Sequence, residues 1–380
     1  STHNDFARAQ ELCRELEVEH GLTPLESRQL GMGERGVKPG ERARADREGS
    51  VEVDAHRLER IVRAAGTASL DEGEFIRRLR RGGILIRPRF AAGRDDVIAG
   101  YSVAVRPVGQ ERPVWFGGGR LARDLTLPRL REGWPDSLQT AQAAVDEWRA
   151  TSKNPWQYRP AAAGREEQTP DPKLWEQYTQ ELRELRTMLR DVPATDRATW
   201  AHVARETAGA FAAWSQRVES TPGPLADTAR ELSRSAHIRA HQSAPKPVRM
   251  GSASGAAMIL LQAATSGRGT TAEAILFRQL GRLSVALLDA HTAAGDARRA
   301  EAMSQSLRDK LATIQERLPT VNAKTAQQPA VALTPEEEAV RRAQRGLAAP
   351  GTRSPLPTSI TPRTRSTSDT SRDRDGHGRE

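Results

Sequence analysis

Between residues 69 and 90 the hydrophobic period of the chain changes from 3.6 to 2, and this change restricts the fold more than any other feature. In SLDEGEFIRRLRRGG a capping Ser69 or Asp71 precedes Phe75, Ile76 and Leu79 at helical spacing, and Gly82-Gly83 supplies the stop. ILIRPRF (84–90) follows at once and alternates, with Ile84, Ile86 and Phe90 on one face and Leu85, Arg87 and Arg89 on the other. VIAGYSVAV (97–105) and PVWFGG (113–118) read as two further strands, joined by the turn segments AAGRDD and RPVGQE. The result is an antiparallel three-stranded meander. Helices can cover its apolar side and leave the arginines in water, while the register between the strands stays open.

The rest of the chain is helical or irregular. Phe6, Ala9, Leu12, Cys13 and Leu16 predict a helix within residues 1–30, capped by Asn4 or Asp5 and stopped at Gly21. Residues 31–50 are glycine-rich and charged without an apolar stripe, which predicts a linker. The module over 51–150 opens with a helix carrying Leu58, Ile61 and Val62 and closes with one over about 138–150. Four prolines in 151–172 predict a second linker. From 173 to 318 the stripes Leu174, Tyr178, Leu182, Leu185, Leu189 and Leu276, Leu280, Leu283, Leu287 predict an antiparallel helical bundle or long hairpins. Residues 319–380 are polar and predict a disordered tail, with a short helix at 335–345. The expected class is α+β: a small module of helices plus a three-stranded meander, an α-helical bundle or hairpin region, and that tail.

The chain carries 58 basic residues, of which 6 are Lys, and a net charge of +9. Residues 77–131 hold 13 basic against 4 acidic side chains, a difference of +9, so the remainder sums to zero. A basic window in a neutral chain is the footprint of a phosphate-contacting surface. The candidate contacts are Arg87, Arg89, Arg94, Arg106, Arg120, Arg123, Arg129 and Arg131. Tyr101 is a lesser stacking candidate, its alternative being a place in the small core. No uncharged apolar run is long enough to span a bilayer, and the single Cys13 excludes an internal disulfide; the expectation is a cytoplasmic protein without membrane insertion.

No pattern of catalytic residues stands out. His237 and His241 have the i, i+4 spacing of two metal ligands, but Ile238 stands where HExxH needs Glu and no third ligand is near. FGGGR (116–120) lacks the Lys-Ser/Thr of a phosphate loop, GSASG (251–255) reads as a loop or close helix approach, and Asp95-Asp96 shapes a turn.

HNDFARAQELCRELEVEHGLT is similar to the segment that follows the metal-binding histidine cluster in relaxases, the mobilization nucleases of conjugative plasmids and integrative elements. DEGEFIRRLRRGGILIRPRF, GYSVAV and WFGGGRLARDLTLPRLREGW, in that order, resemble the accessory module after the nuclease domain of actinobacterial members. The likeness covers about residues 2–150 and implies an N-terminally truncated relaxase, with residues 1–30 the last helix of its nuclease domain. The complete family member attacks the transfer-origin phosphodiester with a tyrosine and uses a divalent metal on its histidine cluster. Here His3 has no partner histidine two residues away and no tyrosine precedes Tyr101, so no catalytic, metal or cofactor residue is carried over. This polypeptide alone is expected not to nick DNA. The resemblance implies DNA as partner, as transfer-origin duplex or single strand, and the composition of the tail implies recruitment to a type IV secretion coupling protein. Contact with about five duplex phosphates would give log K against log salt a slope of roughly −4 to −5. Two other readings remain: a stand-alone, non-catalytic DNA-binding accessory protein, and a helical adaptor acting through residues 173–318.

Overall fold

The structure is a computed structural model that describes residues 5–22, 36–94, 97–107, 111–237, 251–262, 270–316 and 318–319. Helix α1 (Asp5–Glu19) ends at Gly21, whose φ of +62° suits glycine, and Leu12, Leu16 and Val18 on it are exposed. Helix α2 (Pro39–Glu48) lies within the stretch expected to be a linker. It has no apolar stripe to announce it; proline in the first turn, Glu41 bonded back to the Lys38 N–H at 3.3 Å and an Arg44–Glu48 pair at 2.6 Å support it locally.

Helices α3 (Asp54–Ala68) and α4 (Glu72–Arg81) precede strands β1 (Leu85–Phe90), β2 (Ile98–Ala104) and β3 (Phe116–Gly117), and the antiparallel sheet has the order β1-β2-β3. The meander is therefore as expected, and Asp71 is the cap of α4, accepting from the Glu74 N–H at 2.8 Å. Pairing of Arg87 with Ser102, and of Arg89 with Gly100, fixes the register. Phe90 pairs with Ile98, so Ala99 is the extra residue of a bulge. Ile98 and Tyr101 are three positions apart, and simple alternation would place them on opposite faces; the bulge returns Ile98 to the core side.

Short helices α5 (Gly118–Leu121) and α6 (Leu127–Arg131) and the longer α7 (Leu138–Lys153) complete this half. The second half is helical: α8 (Lys173–Met188), α9 (Arg197–Val218), α10 (Pro224–Ser235), α11 (Ser254–Gln262), α12 (Thr271–Ala293) and α13 (Ala297–Glu316). Of the tail, only 319 lies within the described residues, and the helix expected at 335–345 falls outside them.

One core gathers Leu58, Val62, Phe75, Leu79, Ile86, Val103, Phe116 and Trp148; another gathers Leu182, Leu185, Phe211, Trp214, Leu232, Leu280 and Met303. Helix α3 is the wall between them, giving Leu58, Val62 and Ala65 to the first and Ala64 and Ala68 to the second. Where α3 crosses α9, a Cβ on Gly209 would stand 1.9 Å from Thr67 Oγ1 and 2.4 Å from Thr67 Cβ. Rotation of the Thr67 side chain relieves the first contact but not the second, so Gly209→Ala must push the helices apart. The expected loss is about 1–3 kcal/mol in a denaturant titration, and Thr67→Gly in the same chain should recover much of it.

Residues 151–172, expected to be a linker, are pinned to α4. The Arg80 guanidinium donates to the carbonyls of Asn154, Gln157 and Arg159 at 2.8, 2.6 and 3.0 Å, and Arg81 donates to the carbonyl of Glu166. In the return direction Arg165 reaches Glu74 at 3.0 Å and the Ala68 carbonyl at 3.0 Å. Four prolines set this segment's extended path, and arginines hold it down.

Candidate nucleic-acid interface

Alternation along β1 and β2 puts Arg87, Arg89, Gly100 and Ser102 on one face of the sheet, opposite the core residues Ile86, Tyr101 and Val103. Leu85 and Ala104, on the same outer face, are buried where α7 packs on β1, while Arg87 and Arg89 are exposed. One end of this face is thus covered and the other open. Phe116 pairs with Val103 in the core, so the preceding Trp115 emerges among the arginines, and the Arg87 guanidinium carbon lies 4.1 Å from its ring centroid. Arg89 lies flat across the sheet because position 100 is glycine: a Cβ there would meet its Nη2 at 2.9 Å. Arg106 continues the face, 5.7 Å from the ring of Trp156 and donating to the Trp156 carbonyl; Trp156 is exposed. Among the described residues neither Arg87 nor Arg89 pairs with a carboxylate.

The other expected contacts divide. Arg120 is exposed near the edge of Phe116, at 6.0 Å from its centroid, and Arg94 and Arg123 are exposed. Arg129 pairs with Glu132 at 3.0 Å on the surface. Arg131 is a structural residue: it grips both oxygens of Glu72 at 2.7 and 2.9 Å and donates to the Ile98 carbonyl at 3.1 Å, leaving little for a phosphate. Tyr101 is a core residue and not a stacking platform. It is 3% exposed, packs edge-on against Phe75 and donates its hydroxyl to the Leu125 carbonyl at 2.6 Å; burial pushes its pKa up.

Arg77, Arg78 and Arg80 also belong to the basic window, and all three are turned inward to Glu166, Glu74 and main-chain carbonyls. The surface charge is accordingly smaller than the count over 77–131 implies, and is concentrated on the sheet. The sequence reading missed Trp115 and Trp156. Parity with Phe116 was a usable signal for the first, whereas nothing local places Trp156 beside Arg106.

A polar cleft of about 790 Å³ opens elsewhere, between α3, the ends of α4, α9 and α11, and residues 166–169. Three of its cations are engaged, Arg60 with Glu52, Arg78 with Glu74 and Arg81 with the Glu166 carbonyl. No family model, curated protein or solved structure matches the chain. Among the described residues no three His, Cys, Asp or Glu side chains gather as a metal site, and no helix is long and apolar enough to cross a membrane. His237 faces Asp124 at 3.5 Å in the interior, and His241 lies outside the described residues.

Proposed function

We propose that this chain binds nucleic acid across the open half of its sheet, with single-stranded DNA the best-fitting form. The observation that carries the reading is the shared face of Arg87, Arg89 and Trp115, cationic and aromatic together and without a carboxylate among its strand positions. Guanidinium groups supply phosphate contacts, and a base can stack on the indole or on the guanidinium plane held over it. Arg106 with Trp156 extends the same chemistry toward the sheet edge. The resemblance to relaxases gives this a setting: the DNA-binding part of a protein that carries a single strand in conjugation, recruited through its tail to a coupling protein, with the nicking residues supplied by the nuclease domain of a complete family member.

Fluorescence anisotropy of a labelled single strand, read against salt, tests the reading. Three phosphate contacts predict a slope of log K on log salt near −2. Arg87→Gln with Arg89→Gln should lower its magnitude by about 1, and Arg129→Gln should leave it unchanged. Binding should also quench Trp fluorescence, and Trp115→Leu should remove most of that quench. Salt-independent binding, or indifference to both arginines, overturns the proposal.

A further inference from the structure

A second cationic cluster lies on the helical half, far along the chain from the basic window. On α8 and the 3-10 turn Leu189–Asp191 that continues it, Leu182, Leu185 and Leu189 enter the core, and Arg183, Arg186 and Arg190 follow one another at spacings of three and four. Helix α12 packs alongside through Leu276, Leu280, Leu283 and Leu287 and brings up Arg282. Every charge that bears on Arg186 is another guanidinium, namely Arg282, Arg190 and Arg183; burial and this repulsion together press its pKa down. Its Nε is buried without a hydrogen-bond partner.

Several buried arginines elsewhere in the molecule are met by carboxylates. Arg63 is matched by Asp124 and Glu59, Arg77 by Glu166, Arg78 by Glu74, Arg217 by Glu273 and Arg299 by Glu231. Among the described residues Arg186, Arg190 and Arg282 have no such partner. Single carboxylates in this protein are met by one or two arginines. A point on which three or four converge suits a ligand of higher charge density, and the planar fork of guanidinium fits a tetrahedral oxyanion.

We propose that Arg186, Arg190 and Arg282, flanked by Arg183, form a binding site for phosphate-class oxyanions, separate from the sheet face. The anion supplies the counter-charge that the fold omits. Its source is either free phosphate or the phosphodiester backbone of a bound strand, and two arms of one experiment separate them. The variant carries Arg186→Gln, Arg190→Gln and Arg282→Gln in the full chain, keeping the side-chain stems that pack on the helices.

In the first arm, thermal unfolding is compared in chloride and in about 10 mM inorganic phosphate at matched ionic strength. If the source is free phosphate, it raises the wild-type midpoint by about 2–4 °C and leaves the variant unmoved. In low-salt chloride the variant should be the more stable of the two, since repulsion has been removed. In the second arm the salt slope for a long single strand is measured with Arg87 and Arg89 intact. A slope weakened in the variant, without a phosphate effect in the first arm, assigns the site to backbone phosphodiester. Equal responses of wild type and variant in both arms overturn the proposal. Because the first arm does not involve the sheet, a wild type that binds no nucleic acid would refute the proposed function and leave this site standing.

Discussion

Asp124→Asn is expected to cost about 3–5 kcal/mol of stability, read as a fall in the thermal midpoint of roughly 10 °C. Asp124 sits in the turn Arg123–Leu125 of the sheet-bearing half, and it is buried against α3 and the end of α10. Arg63 donates to both of its oxygens at 2.5 and 3.2 Å and to Glu59 at 3.0 Å. His237 Nε2 stands 3.5 Å from Asp124 Oδ1, longer than a good hydrogen bond. Arg63 is 2% exposed, so removing the carboxylate charge strands a guanidinium in the interior with half its compensation. The network joins α3, the turn after α5 and His237, two residues past the end of α10, and thereby locks the two cores at their common wall. Asp146→Asn, whose carboxylate meets the exposed Arg149 at 3.6 Å and accepts from Gln142 Nε2 at 3.1 Å on the surface, should stay within about 0.5 kcal/mol of wild type.

The pH dependence of that loss has a definite sign. Burial raises the Asp124 pKa, but the charge of Arg63 and its hydrogen bonds outweigh it, and the carboxyl is held far below its ordinary range. A depressed folded pKa contributes stability that is fully present above the unfolded value of about 4 and is lost as pH falls toward the folded one. The gap between wild type and Asp124→Asn should therefore be full at neutral pH and narrow below about pH 4. A gap that is constant down to acid would mean that the aspartate acts through shape and not through charge.

What the sequence revealed follows from which forces are local. The period switch after Gly82-Gly83 located the meander because alternation is a property of neighbouring residues. The same alternation set Tyr101 with Val103 on the apolar side, which favours the place in the small core that the tyrosine takes. Helix α2 was missed because charge pairs and a proline start hold it, none of which leaves an apolar stripe. The basic window was visible as a count, but its allocation was not. Arg77 finds Glu166, Arg78 finds Glu74 and Arg131 finds Glu72, and two of those three partners are 89 and 59 residues away. An arginine that neutralises an interior carboxylate reads in sequence like one that awaits a phosphate.

Glu166→Ala is expected to cost about 3 kcal/mol and to open residues 151–172 to trypsin. The Glu166 carboxylate receives Arg77 through Nε at 2.6 Å and Nη2 at 3.4 Å. The second acid near Arg77, Glu147, is a poor substitute. It lies 3.5 Å from Nη1, already accepts the Ala161 and Ala162 N–H groups, and burial pushes its pKa up, which disfavours its charged form. Without Glu166 the Arg77 guanidinium draws in water or turns outward, and the segment loses its buried charge anchor while its contacts to Glu74, Arg80, Arg81, Glu147 and Gln262 remain. Cleavage after Arg165 should then run ahead of global unfolding, while Arg159, followed by Pro160, stays uncut. Arg77→Met combined with Glu166→Leu removes the stranded charge along with its partner, and should cost less than the sum of the two single changes. A tether that merely spans two domains would behave otherwise: Glu166→Ala would change stability by less than about 0.5 kcal/mol and leave the cleavage rate as it was.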